Sequence, residues 1–267
     1  MDTELQPRID PVTVAGLALL VMPVLTMAHE IGGHAATCVA LGHRVVQLGA
    51  FYIDCDAGGT LAGRLVAAAG PAIDVALALV GYQIWKRASG DLARLVWWYV
   101  WLSGGFTAAG YFAFSGLTGI GDLNPGEGGG IGLLPVPAAF RVLFLAGGAL
   151  AYWRLVVLGL HTLAAMIGQG PLTKAARRTV GHLFYAVLCG SAVLASLPNP
   201  IGLFITLASA AAASFGGHAG LISIGFATHE QGSPRSFAVR RSWPLLALGV
   251  AATAAFAAIL GPTIRFG

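Results

Sequence analysis

Residues 11–41 read PVTVAGLALLVMPVLTMAHEIGGHAATCVAL. Glu30 is the only acidic side chain in this stretch, which contains no Lys or Arg. An apolar run spans a bilayer once it reaches about 20 residues as helix. This one is longer, so the helix is tilted or protrudes. The polar group His29-Glu30-Ile31-Gly32-Gly33-His34 sits inside it.

Six further apolar runs follow, at about 61–85, 92–117, 139–167, 180–197, 199–224 and 243–260. The predicted fold is therefore all-α, a polytopic bundle of six or seven transmembrane helices. Composition agrees. The 267 residues are 57% apolar and 10% charged, with a mean hydropathy of +0.78, whereas a soluble chain is about 25% charged. The runs are continuous, without the two-residue alternation of an outer-membrane barrel. A net charge of +4, scattered over the connections, excludes a nucleic-acid partner and leaves the lipid bilayer as the environment.

The basic residues also orient the chain. Arg8, Lys86, Arg87, Arg94, Lys174, Arg177, Arg178, Arg235, Arg240 and Arg241 fall on the side of the N-terminus. Arg44, Arg64, Arg141 and Arg265 fall on the other, together with Asp54, Asp56, Asp122 and Glu127. By the positive-inside rule the first side is cytoplasmic. Arg154 lies mid-span. Cys38, Cys55 and Cys189 form no CxxC pair, which leaves a disulfide involving Cys55 open.

Two connections stand out. Residues 42–60 alternate and carry β-branched and aromatic side chains, which predicts a short β-hairpin. Residues 116–137 are so rich in Gly and Pro that their backbone must line a cavity, pack on protein or lie in water.

Ionisable residues within an apolar helix are costly and point to function. The pattern H-E-x-x-H places two imidazoles on one helical face as zinc ligands, with Glu as general base. Here the spacing is H-E-x-x-x-H. At about 100° per residue, residues five apart diverge by about 140°, too far to share an ion. An i→i+5 bulge restores convergence, and Gly32 and Gly33 are where distortion costs least. A local widening is therefore predicted at Ile31–Gly33. The structural alternative is a polar cluster at a helix contact, with the glycines permitting close approach.

Two histidines leave zinc one protein ligand short. Asp54, Asp56, Asp74 and Asp122 are the candidates, and Asp122 is preferred. It lies at the same end as the second half of the first span, within Gly-rich backbone. Asp74 is read as a hydrogen-bonding support. His43 is read as interfacial, His161, His182 and His218 as helix contacts, and His229-Glu230 as surface.

The chain resembles the site-2 protease family, zinc metallopeptidases that cut peptide bonds within membranes. His29-Glu30-…-His34 is similar to its first motif. Gly70-Pro71-Ala72-Ile73-Asp74 resembles its Gly-Pro-Ala-x-Asn motif, with Asp in place of Asn. Gly121-Asp122-Leu123-Asn124-Pro125 resembles a rearranged Asp-Gly motif. The similarity covers about residues 15–130.

It implies a three-helix catalytic core over 1–130, with four additional helices over 131–267. It also implies Zn2+ on His29, His34 and Asp122, Glu30 as general base, and a membrane-protein or peptide substrate. The family generally carries its metal nearer the cytosol, while the charges here put the His29/Asp122 end outside. The protein is expected in a bacterial plasma (inner) membrane. The alternative function is a non-proteolytic metal-binding scaffold or transporter with a degenerate site. The transporter reading lacks an inverted repeat.

Overall fold

The computed structural model describes residues 6–126, 130–132, 134–200, 202, 212–227 and 231–267. Residues 201 and 203–211 of the sixth apolar run, Glu127 and His229-Glu230 lie outside them. The chain begins with β1 (Arg8–Ile9) and α1 (Pro11–Met27). Asp10 caps α1 by accepting from the backbone N–H groups of Val12 (3.0 Å) and Thr13 (3.2 Å), and Pro11 opens the first turn. The helix continues through a π-helical segment, Ala28–Ala35, into α2 (Ala36–Ala40).

The hairpin follows as β2 (Val45–Leu48) and β3 (Ile53–Cys55), antiparallel, with a register shift between Val45 and Gln47. α3 (Leu61–Arg87) is capped by Thr60, and α4 (Asp91–Thr118) ends at Gly119 in the left-handed conformation that favours glycine (φ 71°). α5 (Pro137–Ile167) opens on a proline and ends at Gly168. Next come the short α6 (Lys174–Arg178), a π turn at Thr179–Leu183 and α7 (Phe184–Ser196). α8 (Gly220–Phe226), β4 (Ala238–Val239), α9 (Trp243–Leu260) and β5 (Ile264–Arg265) complete the chain.

Among the described residues, five stretches are long and apolar enough to cross a membrane: Pro11–Ala40, Leu61–Arg87, Pro137–Ile167, Pro171–Ser196 and Trp243–Leu260. α4 is as long but less apolar, because Trp, Tyr, Gly and Ser crowd its middle. Its position explains the difference. Trp98, Tyr99, Trp101, Leu102 and Phe106 of α4 are fully buried, so this helix faces protein rather than lipid. Trp98 donates to Thr162 Oγ1 (2.9 Å), and Tyr99 donates to the Val180 carbonyl (3.0 Å) while stacking on Phe184. The core joins α1, α4, α5, α7, α8 and α9.

The helix that begins the fifth apolar run starts earlier than its hydropathy suggested, so Lys174, Arg177 and Arg178 are helical. Arg177 is buried and donates to the Gly168 carbonyl (3.0 Å) and to Thr173 Oγ1 (3.2 Å). The chain ends are tied by two small sheets that the sequence did not announce. β1 pairs with β4 in parallel, and β5 joins β2 to give the order β3-β2-β5. These sheets flank the 30-residue helical stretch Pro11–Ala40. Cys38 of α2 and Cys55 of β3 form a disulfide, which closes the question left open by spacing; Cys189 is free and buried.

Candidate metal centre

The widening expected at Ile31–Gly33 is present and longer than a single bulge: Ala28–Ala35 is π-helical throughout. An i→i+5 turn brings His29 and His34 onto one face, and both are buried. The glycines divide the work. Gly32 is exposed with nothing near its missing Cβ, whereas Gly33 packs on α3, where a Cβ would lie 2.7 Å from Gly70 Cα and 2.8 Å from the Ala69 carbonyl oxygen. Gly70 in turn leaves room for the imidazoles: a Cβ there would fall onto Nε2 of His29 and of His34.

Each ring is held by its far nitrogen. His34 Nδ1 is 2.7 Å from the Val66 carbonyl oxygen. A carbonyl only accepts, so this nitrogen carries the proton and Nε2 presents a lone pair. His29 Nδ1 is 2.7 Å from Asp74 Oδ2, the supporting role expected for that carboxylate. Metal-ligating histidines are oriented in this way. The His29 ring also stacks on Tyr111 of α4, with centroids 4.8 Å apart and planes 14° from parallel.

Asp122 completes the group. After α4 the chain turns through Gly119 (φ 71°) and Gly121 (φ 91°), conformations that side chains rarely adopt. Asn124 N–H then donates to the Gly121 carbonyl (3.0 Å), and Gly126 N–H to Asn124 Oδ1 (2.9 Å). This folded-back loop aims Asp122 Oδ2 at the histidines, 3.2 Å from His29 Nε2 and 3.4 Å from His34 Nε2. The two Nε2 atoms are 3.1 Å apart. Ligand atoms about 2.0–2.1 Å from a tetrahedral ion stand roughly 3.4 Å from one another. The triangle therefore fits a small divalent cation, and two imidazoles with one carboxylate are ligands that several first-row metals accept, zinc and iron among them. Among the described residues, His29, His34 and Asp122 form the one group of three or more His, Cys, Asp or Glu side chains that could hold a metal ion.

Glu30 is buried beside this triangle and lines two cavities. The larger, about 860 Å3, is bounded by His34 and Asp122, by β3, by the first turn of α3 and by the glycines of the 121–132 loop. The smaller, about 50 Å3, lies behind His29 and is mainly apolar, with Met22, Leu25, Phe51 and Leu188 among its walls. His218 lines it too, which the reading of that residue as a helix contact did not foresee.

The other candidates lie apart. Asp54 is exposed at the rim of the large cavity. Asp56 accepts from Arg44 N–H (2.8 Å) and pairs with His43 (3.1 Å). His182 Nε2 meets the Ile222 carbonyl (3.1 Å), and His161 is exposed on α5. Tyr111 went unrecognised in the sequence. Its signal is a polar stripe on α4, Ser103, Thr107, Tyr111 and Ser115, spaced four apart and so on one helical face. No family model, curated protein or solved structure matches the chain.

Proposed function

We propose that the protein is a zinc-dependent intramembrane endopeptidase that hydrolyses peptide bonds in or near transmembrane segments of other membrane proteins. The observation that carries this reading is the His29–His34–Asp122 triangle with Glu30 beside it, opening on a cavity large enough for a peptide. His29, His34 and Asp122 would hold the ion. When bound, zinc supplies the Lewis acidity that activates water and polarises a carbonyl.

The chain's own groups do the rest. Glu30 accepts the proton of the attacking water and delivers one to the departing amine. Asp74 and the Val66 carbonyl keep both imidazoles in the tautomer that leaves Nε2 available. Among the described residues β3 pairs only with β2, and it lines the cavity, so its outer edge could hold an unwound substrate segment extended.

The pairing of the chain ends supports seven crossings. β1 lies with β4, and β2 with β5, at the two ends of the first helical stretch. Between β3 and β4 the chain must then cross an odd number of times. α3, α4, α5 and the α6–α7 stretch make four, which leaves one further crossing to be made between α7 and β4. The basic-residue asymmetry makes the β1–β4 end cytoplasmic. The Cys38–Cys55 disulfide at the other end suits an oxidising compartment outside it. The substrate cavity, lined by Cys55, would open on that outer side of a bacterial plasma membrane.

The test is reconstitution of purified protein in liposomes with a single-span substrate. Cleavage that stops on chelation and returns with zinc is the expected result. Zinc binding without cleavage of any membrane substrate would turn the reading to a scaffold or transporter.

A further inference from the structure

The large cavity has a single arginine in its lining. Among its lining residues Glu30, Asp54 and Asp122 are acidic, and Arg64 is the only Lys or Arg. Arg64 stands in the first turn of α3, a turn without acidic residues. Its Nε is buried without a hydrogen-bond partner. No ion pair among the described residues involves it, although Asp54 borders the same space. Buried donors of this kind are normally satisfied. Gly132, with φ at 75°, lies against the guanidinium, and a Cβ there would sit 2.9 Å from Nε. The loop thus makes room for an arginine whose buried Nε pairs with nothing among the described residues.

The occupant follows from two neighbours. A guanidinium presents a planar fork of donors matched to a carboxylate. The same cavity is lined by β3, Ile53–Cys55, which among the described residues leaves one edge unpaired and whose main chain can pair with an extended peptide and not with a lipid headgroup. The partial positive charge of the α3 N-terminus adds to the attraction. We infer that Arg64 selects peptide segments bearing a carboxylate, which it holds while the segment lies along β3. This rests on the peptidase reading for its purpose, but concerns binding and is measurable without turnover.

The probe is a short extended peptide of alternating Ala and Leu with blocked ends, in three forms carrying Glu, Gln or Lys at one position. A fourth form lacks the charge but has a free C-terminal carboxylate. Binding is read by fluorescence anisotropy on the zinc-loaded Glu30→Gln protein in nanodiscs, so that bound peptide is not consumed. The Glu peptide should bind roughly ten- to a hundredfold more tightly than the Gln peptide. Arg64→Gln should abolish the difference, Arg64→Lys should retain part of it, and Arg64→Glu should transfer the preference to the Lys peptide.

Tight binding of the free-terminus form alone would assign the carboxylate to a chain end rather than a side chain. Equal binding of the Glu and Gln peptides overturns the inference, as does a preference that survives Arg64→Gln. Absence of any peptide binding, or displacement of the peptide by phosphatidylglycerol but not phosphatidylcholine discs, also overturns it. Should Arg64→Gln fail to fold, the Glu/Gln comparison on the parent protein still decides. The two readings fail separately. Charge-selective binding by a protein whose parent cuts nothing sinks the peptidase alone, and cleavage blind to charge sinks the role of Arg64 alone.

Discussion

Gly33 of the π-helical segment lies against Gly70 of α3, so closely that a Cβ on the first would stand 2.7 Å from the Cα of the second. This crossing holds the two imidazoles beneath the α3 backbone. Gly70→Ala should displace both rings and abolish zinc binding, read as metal content after gel filtration. Gly33→Ala should cost about 1–3 kcal/mol of stability by overpacking. Gly32→Ala meets nothing and should be neutral or stabilising by up to about 1 kcal/mol, with metal content unchanged.

The ligands and the base separate by substitution. His29→Ala and Asp122→Ala should each lose zinc. Glu30→Gln should keep it while cleavage falls by about 10^2–10^4-fold, measured on a single-span substrate in liposomes. Cleavage at the parental rate by that variant would remove Glu30 from the chemistry.

Asp74 touches the candidate metal group through His29 Nδ1, at 2.7 Å. Asp74→Ala should weaken zinc affinity roughly 10- to 100-fold in competition with a chromogenic chelator. Asp74→Asn keeps an oxygen acceptor and should lose less.

The Cys38–Cys55 link closes a separation of 17 residues between the end of the helix that carries His29 and His34 and the strand β3 that lines the cavity. Cross-links over such loops contribute about 3 kcal/mol. Cys38→Ser with Cys55→Ser should lower the unfolding temperature, and a reductant should lower that of the parent alone. Cys189, buried and free, should leave both unchanged when replaced by Ala.

The hairpin base carries a pH dependence outside the membrane-spanning helices. The backbone N–H of Arg44, followed by the His43 side chain, holds the Asp56 carboxyl below its usual range. A group depressed on folding stabilises above its unfolded value, about 3.9 for Asp, and loses that contribution as pH falls through the lower folded value. Amide exchange at residues 44–56 should therefore accelerate on acidification below about pH 4, and Asp56→Asn should remove the acid dependence.

Much of the site was legible because it is local. His29 and His34 must face one way to share an ion, and five residues on a regular helix cannot do that, so the backbone distortion could be inferred from spacing alone. Asp122 could be ranked because it lies at the same end as the second half of the first span, within Gly-rich backbone. The hold of the Val66 carbonyl on His34 could not be read, since it depends on how the helices cross. Tyr111 was hidden for the same reason. A polar stripe announces that a helix face meets something polar, not that the face meets His29.

The amino-acid order alone determined the apolar runs, the bilayer as solvent, the hairpin and the need for a π-turn at the histidines. Each follows from neighbours in the chain, through hydrophobic period, turn chemistry and the angle per residue. Tertiary structure alone decided that Cys38 joins Cys55, that β1 and β5 are tied into small sheets, and that Arg64 lines a cavity with its Nε unpaired among the described residues. These pairings join residues far apart in sequence, and they exist only once helix packing has brought the segments together.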